Sequence, residues 1–167
     1  METEINGNGF SDDLIFENIE DEYFVGESII EDSNIEIPNL TYSTSCRASI
    51  TTNDYILFAG GSYYNSSATT KGLSTSLVDT YDTSFIKTQI TNLDTTRGHM
   101  ATAKTNNHIF FLGGVNFSVN TSEPAYMSTV DIYDNLLVHT SSYLDTGVES
   151  PAATTINNCV LCGGGGV

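Results

Sequence analysis

One internal repeat constrains this chain more than any other feature of its sequence. A short apolar run ends in a glycine pair at residues 60–61, again at 113–114, and once more within the glycine tract 163–166. The first two pairs lie 53 residues apart, and the aligned Asn-Asn pairs at 106–107 and 157–158 set the next step at 51. Self-similarity at such a period is the signature of a repeat architecture, in which each copy is one supersecondary unit.

Two further markers recur in phase with the glycine pairs. The segment VDTYD at 78–82 returns as VDIYD at 130–134, a step of 52, and residues 48–54 align with 101–107. One such match could arise by chance. Three markers in the same order at one period are strong evidence that the chain repeats.

The pattern within one repeat predicts an antiparallel sheet. Ala48, Ile50 and Thr52 alternate with other residues, as in a strand with one packed face. The Asn-rich pair that follows tolerates positive φ, which predicts a type I′ hairpin turn at 53–54 and at the matching positions of the other copies. The apolar run is then the second strand, and the glycine pair ends it where a side chain would block a close backbone approach.

The second half of each repeat predicts the outer part of the same sheet. The VDxYD segment forms the third strand, and its last residue, Asp82 or Asp134, starts a turn. A fourth strand is expected near residues 85–91 in one copy and 137–141 in the other. The predicted fold class is therefore all-β, built from four-stranded antiparallel meanders.

These markers resemble the kelch repeat family, whose repeats run an apolar strand into Gly-Gly and then a Tyr at a period of about 50 residues. The two glycine pairs carry the likeness together with Tyr81 and Tyr133, and with an arginine ahead of the first strand at Arg97, displaced to Arg47 in the preceding copy. The resemblance covers about residues 41–165. It implies a β-propeller in which each repeat is one blade and which mostly holds partners.

One departure from the family concerns tryptophan. Kelch repeats usually carry a Trp on the outer strand, and this chain has none. Phe85, Ile86 or Leu137 is expected to fill that space. This Trp-less form is similar to the arrays of bacterial and bacteriophage-encoded kelch proteins.

The repeat divides the chain into segments. The predicted order is an acidic arm, a partial repeat whose third and fourth strands are residues 23–30 and 35–37, two complete repeats, and a second partial repeat: 1–22, 23–40, 41–93, 94–145 and 146–167. The sum is about three blades, whereas a closed propeller takes four to eight. We therefore expect a piece of a longer array with neighbouring blades, or a homo-oligomer that closes the ring.

The charge distribution narrows the class of partner. Residues 1–36, the arm together with most of the first partial repeat, hold 12 of the 21 acidic residues and none of the five Lys and Arg, so they carry −12 of the net charge of −16. Nucleic-acid backbones and anionic membranes attract clustered basic residues, so both are excluded as partners.

No apolar run reaches the length of about 18 residues that a membrane span needs, and no leader is expected. Localisation stays open, with a virion or a cell surface as the expected setting.

The chemistry-bearing residues predict no catalytic, metal or cofactor site. The three cysteines are expected to pack in the interior, because Cys159 and Cys162 cannot complete a zinc site alone. The three histidines fall in separate places along the repeats. Paired aspartates at 79 and 82, and at 131 and 134, favour turns and hydrogen bonds over calcium because they repeat.

The loops after the glycine pairs, 62–76 and 115–127, differ while the strands repeat, which is typical of recognition surfaces. The alternative is that they are ordinary solvated connections. The candidate binding residues are Tyr63, Tyr64, Asn65, Asn116, Phe117 and Tyr126.

The predicted function is a non-enzymatic module that binds a protein or a surface glycan. The alternatives are a structural component of a phage particle or bacterial surface appendage, docked through the acidic arm, and, remotely, a galactose oxidase-like enzyme.

Overall fold

The structure is a computed structural model, and it describes residues 23–25, 28–30, 37–63, 73–117 and 124–166. Their regular structure is all strand, which confirms the predicted all-β class. Among these residues there is no helix long and apolar enough to cross a bilayer. The strands are β1 Tyr23–Val25, β2 Ser28–Ile30, β3 Ala48–Thr51, β4 Tyr55–Ala59, β5 Ser62–Tyr63, β6 Leu73–Ser74, β7 Val78–Asp82, β8 Lys87–Gln89, β9 Ala101–Lys104, β10 His108–Leu112, β11 Val115–Asn116, β12 Ala125–Tyr126, β13 Thr129–Asp134, β14 His139–Tyr143, β15 Ala152–Ile156 and β16 Cys159–Gly163.

Each complete repeat forms one four-stranded antiparallel sheet whose strands follow chain order. The first sheet runs β3-β4-β7-β8 and the second β9-β10-β13-β14. A two-stranded hairpin, β5-β6 or β11-β12, interrupts the connection between the second and third strands. The third copy contributes the pair β15-β16, so the expected meander is present twice in full and once in half.

The repeats stand side by side along their first strands. Thr102 Oγ1 donates to Ser49 O at 3.3 Å and Lys104 Nζ to Thr51 O at 2.7 Å, both across one repeat step. Thr155 Oγ1 donates to Lys104 O at 2.7 Å in the same way. A buried cluster then joins residues of both complete repeats: Ala48, Leu57, Ala59, Val78, Leu93, Ile109, Phe111 and Tyr133.

The predicted type I′ turn is right in the third copy and wrong in the first two. Of the three turn pairs, only Asn157 and Asn158 have positive φ, at 48° and 61°. In the first copy, Thr52 Oγ1 instead accepts the backbone N–H groups of Asp54 at 3.2 Å and Tyr55 at 2.9 Å. The third copy has Ile156 in the place of that Thr. A hydroxyl before the turn therefore removes the need for positive φ.

The outer strands begin later than predicted. Phe85 and Leu137 lie in the turns before β8 and β14, with φ of 57° and 62°. Ile86 is 61% exposed, so it does not fill the space expected for a Trp. Leu137 does pack against the buried cluster.

Two of the three cysteines contradict the expected interior packing. Cys46 and Cys159 are exposed, and Cys162 is half-buried. Cys46 precedes β3 at a φ of 58°, a left-handed position that recurs at His99 and Ser150. Burial raises the pKa of the Cys162 thiol.

The chain divides into two units, residues 1–40 and 41–167. In the first, β1 pairs antiparallel with β2, Tyr23 opposite Ile30. The single strand predicted over 23–30 is therefore wrong, because two antiparallel strands lie within that range. The predicted acidic arm, residues 1–22, lies outside the described ranges.

Candidate functional site

The strand registers give each complete repeat two distinct ends. Tyr55 pairs with Asp82 at one end of β4, where both tight turns lie, and Ala59 pairs with Val78 at the other, next to the glycine pair. The second repeat has the same arrangement, with His108 opposite Asp134 and Leu112 opposite Val130. We call these the turn end and the glycine end.

The glycine pairs let neighbouring backbones cross at very short distance. Gly60 has a φ of +63°, and a Cβ there would lie 2.2 Å from Arg97 O. Gly61 has a φ of +101° and donates its N–H to the same carbonyl at 2.9 Å. Only glycine fits this crossing, because any side chain would meet backbone.

The second repeat holds a fully buried ion pair near its glycine end. Arg97 and Asp131 are both 0% exposed, and Arg97 Nη2 donates to Asp131 Oδ2. Arg97 Nε donates to Gly113 O at 2.8 Å, which ties the pair to the glycine crossing. The other carboxylate oxygen, Oδ1, accepts the Asp94 N–H at 2.8 Å and lies 2.6 Å from His139 Nε2.

The first repeat holds an equivalent cluster around Asp79. Arg47 Nη2 donates to Asp79 Oδ2 at 3.0 Å, and Lys87 Nζ lies 3.1 Å from Oδ1. Thr41 donates to both oxygens, through its backbone N–H at 3.1 Å and its hydroxyl at 2.5 Å. Burial acts to raise the pKa of Asp79, but these hydrogen bonds and the Arg47 charge outweigh it and hold that pKa below its ordinary value.

A metal ion fits this arrangement poorly. Asp94, Asp131 and His139 place ligand atoms within 4.8 Å of one another. Both oxygens of Asp131 already have partners, and the Arg97 guanidinium touches one of them, so a cation would meet a fixed positive charge. In the first repeat the corresponding positions are Thr41, Asp79 and Lys87. The cluster's chemistry is that of a buried structural ion pair.

The other aspartates of the predicted pairs form turns, as expected. Asp82 Oδ1 accepts the N–H groups of Ser84 at 2.8 Å and Ile86 at 2.9 Å. Asp134 Oδ1 accepts those of Leu136 and Val138 at the same distances. The histidines stay apart, since His139 lies at the buried pair, His108 at the turn end, and His99 near Glu149, with 3.8 Å between Nδ1 and Oε1.

Four of the six predicted binding residues lie at the glycine end within the described ranges. Tyr63 stacks on Tyr42, with ring centroids 5.7 Å apart and planes inclined by 15°. The Phe117 ring meets His99 edge-on at 6.1 Å. Asn116 pairs with Ala125, and Tyr126 is 41% exposed. Tyr64 and Asn65 lie outside the described residues.

Two hydrogen bonds connect the two aromatic pairs across the repeat boundary. Phe117 N–H donates to Ser74 Oγ at 3.0 Å, and Ser74 N–H donates to Phe117 O at 3.3 Å. Ser74 lies in β6, next to Leu73, which pairs with Tyr63. We call Tyr42, Tyr63, His99 and Phe117 the aromatic row. Tyr42 and His99 were missed because they precede the first strand of each repeat, outside the loops where sequence variation pointed.

Comparisons with known proteins address the fold and not the site. No protein-family model matches this sequence, and no curated protein matches it. A solved structure titled "Structure of YjhT" is similar, with a TM-score of 0.59 over 75% of this chain and 18% identical residues. This chain spans 38% of the length of that protein. At this identity the likeness concerns the fold alone.

Proposed function

We propose that the chain is a segment of a kelch-type β-propeller that acts as a non-enzymatic binding module. The repeat step, the four-stranded meanders and the first strands placed side by side all support blades arranged around an axis. The glycine pairs with the buried tyrosines Tyr81 and Tyr133 support the kelch assignment. The fold likeness to the YjhT structure covers 75% of this chain and 38% of the other, which agrees with a repeat array longer than this chain.

The aromatic row is the observation that carries the binding function. Tyr42 is 49% exposed, and its ring is stacked on the ring of Tyr63. The two rings therefore present a large amphipathic surface whose side chains lose little conformational entropy when a partner binds. Rigid aromatic side chains of this kind dominate the binding energy of protein interfaces. The row extends over two repeats, which suits a protein partner better than one sugar ring.

To test this, a displayed library of random peptides is selected for binding to the purified chain. The same chain is applied to a glycan array in parallel. We expect selected peptides whose affinity falls about 30-fold with Tyr42→Ala and Tyr63→Ala together, the loss of one interface hot spot. Tyr143→Ala is the matched control, because Tyr143 is 72% exposed on β14 and outside the row. Peptides that bind both variants equally would contradict the proposal, and glycans captured through the row would assign it to sugars.

A further inference from the structure

The turn end carries a cleft that the binding function above does not use. It has a volume of about 240 Å³ and opens between the first-repeat turn 52–55 and the second-repeat turns 104–109 and 134–137. These turns lie at the opposite end of the sheets from the aromatic row. Any ligand here would therefore bind independently of a partner at the glycine end.

The walls of the cleft are fixed by their own hydrogen bonds. Thr105 Oγ1 accepts His108 N–H at 3.1 Å, as Thr52 Oγ1 does for Tyr55 in the facing turn. Asn135 Nδ2 donates to Asn106 O at 3.3 Å and joins the two second-repeat turns. A ligand would meet a largely preformed site, and little ordering would oppose binding.

The next repeat junction has a hydrogen bond between its turns that the first junction lacks among the described residues. Asn158 Oδ1 accepts Asn106 N–H at 2.7 Å and bridges the turns of the second and third copies. At the first junction the corresponding residues are Asn107 and Asn53, and within the described part of the chain no hydrogen bond joins them. The difference leaves the first junction open to solvent.

The lining combines groups that recognise hydroxyls with a small apolar floor. Carboxylates come from Asp54 and Asp134, amides from Asn53, Asn106 and Asn135, and apolar surface from Tyr55, Ile109 and Leu137. Carboxylate and amide groups bond adjacent hydroxyls well, because together they supply acceptors and donors in a planar geometry. The volume lies below the range of about 300–1,000 Å³ for drug-sized ligands, which limits the occupant to about one ring.

Charge selects among the ligands of that size. Counted over Asp, Glu, Lys and Arg, two carboxylates and Lys104 give the lining a formal charge of −1. The ammonium of Lys104 is already engaged, since its Nζ donates to Thr51 O at 2.7 Å. Phosphates and acidic sugars would face net repulsion. None of the three residues whose ligand atoms lie within 4.8 Å of one another lines this cleft: Asp94, Asp131 and His139.

We propose that this cleft binds one neutral or amino-substituted sugar ring. The amides and carboxylates bond its hydroxyl groups, and the C–H face of the ring lies against the apolar floor. An amino group in place of one hydroxyl would gain from the acidic lining. The site is distinct from the aromatic row, so each can fail without the other.

The experiment is saturation-transfer NMR and calorimetric titration of the full chain with glucose, N-acetylglucosamine, glucosamine and, as the acidic sugar, N-acetylneuraminic acid. We expect binding of at least one of the first three at about 1 mM, the affinity that a ligand of this size reaches, and weaker binding of the acid. Asp54→Ala and Asn135→Ala should each weaken binding about tenfold. Thr154→Ala, on the exposed face of β15, should leave it unchanged.

Circular dichroism of each variant confirms that the strands are retained. The variant Tyr42→Ala with Tyr63→Ala should keep sugar binding, which separates this site from the proposed partner surface. The absence of saturation transfer at about 10 mM of every sugar would overturn the proposal. Preferred binding of the acidic sugar, or binding unaffected by Asp54→Ala and Asn135→Ala, would overturn it as well.

Discussion

The two complete repeats bury a carboxylate at the same position but surround it with different partners. Asp79 and Asp131 stand at matching positions of β7 and β13, 1% and 0% exposed. The first is held by Arg47, Lys87 and the hydroxyl of Thr41, and the second by Arg97 and His139. The fold is nearly the same in both, so it does not depend on one particular set of partners.

The difference lies in where each arginine enters the chain. Alignment of the repeats places Arg97 opposite Thr44, whereas Arg47 aligns with Met100. Both guanidinium groups nevertheless donate through Nε to a glycine carbonyl, Gly60 O at 3.1 Å and Gly113 O at 2.8 Å. The fold therefore retains a positive charge beside the glycine crossing. The arginine that supplies this charge differs by three residues between the two aligned repeats.

The largest expected effect comes from removing the fully buried arginine. Arg97→Met should lower the free energy of unfolding by about 3–5 kcal/mol, because it leaves a buried carboxylate without its main partner. Arg47→Met should cost less, about 1.5–3 kcal/mol, since Lys87 and Thr41 still hold Asp79. Urea unfolding followed by circular dichroism measures both.

A double variant checks the cause of that loss. Asp131→Asn combined with Arg97→Met removes the orphaned charge and should restore part of the stability lost in the single variant. If the double variant were as unstable as the sum of both single changes, the ion pair would not explain the comparison. Equal losses for Arg97→Met and Arg47→Met would show that the partners around Asp79 do not compensate for each other.

A smaller effect should follow from moving the first arginine to the position used in the second repeat. Thr44 Oγ1 is buried and makes no hydrogen bond within the described residues, and an arginine there would align with Arg97. Thr44→Arg in the Arg47→Met background should recover about 1 kcal/mol of unfolding free energy, one hydrogen bond to a charged group. Thr44→Met in the same background is the control, and equal stability of the two variants would mean that position 44 cannot reach Asp79.

The repeat made most strands predictable, and local chemistry decided the details. The alignment predicted β7 to the residue and predicted that β4 and β10 end directly before the glycine pairs, because three markers fix their phase. It predicted the wrong turn at two hairpins, since a hydroxyl on Thr52 or Thr105 replaces the positive φ that Asn157 and Asn158 supply in the third copy. The sequence does contain the difference, because the third copy has Ile156 where the first two copies have Thr52 and Thr105. The repeat pattern alone did not say which turn geometry each of these residues favours.

The candidate sites were less accessible to sequence reasoning than the fold. Variable loops pointed to Tyr63 and Phe117, but their ring partners Tyr42 and His99 come from segments before the first strands. The turn-end cleft depends on how neighbouring repeats meet, which no single repeat encodes. No sequence difference marks it, because Asn158 bridges its junction, whereas Asn107, the same residue at the matching position, makes no such bond to Asn53 within the described residues.

The smallest expected effect is a difference in acid sensitivity that follows from Asp79. Its pKa is lowered in the folded chain, so its contribution to stability is complete above the ordinary pKa of about 4 and is lost as the pH falls through the folded value. Asp79→Asn should therefore be less stable than the parent at neutral pH, and the gap should narrow below about pH 4. Urea midpoints across that range measure the gap, with the exposed Asp145→Asn as control. A gap that stays constant with pH would show that the Arg47 and Lys87 contacts do not act through the charge of Asp79.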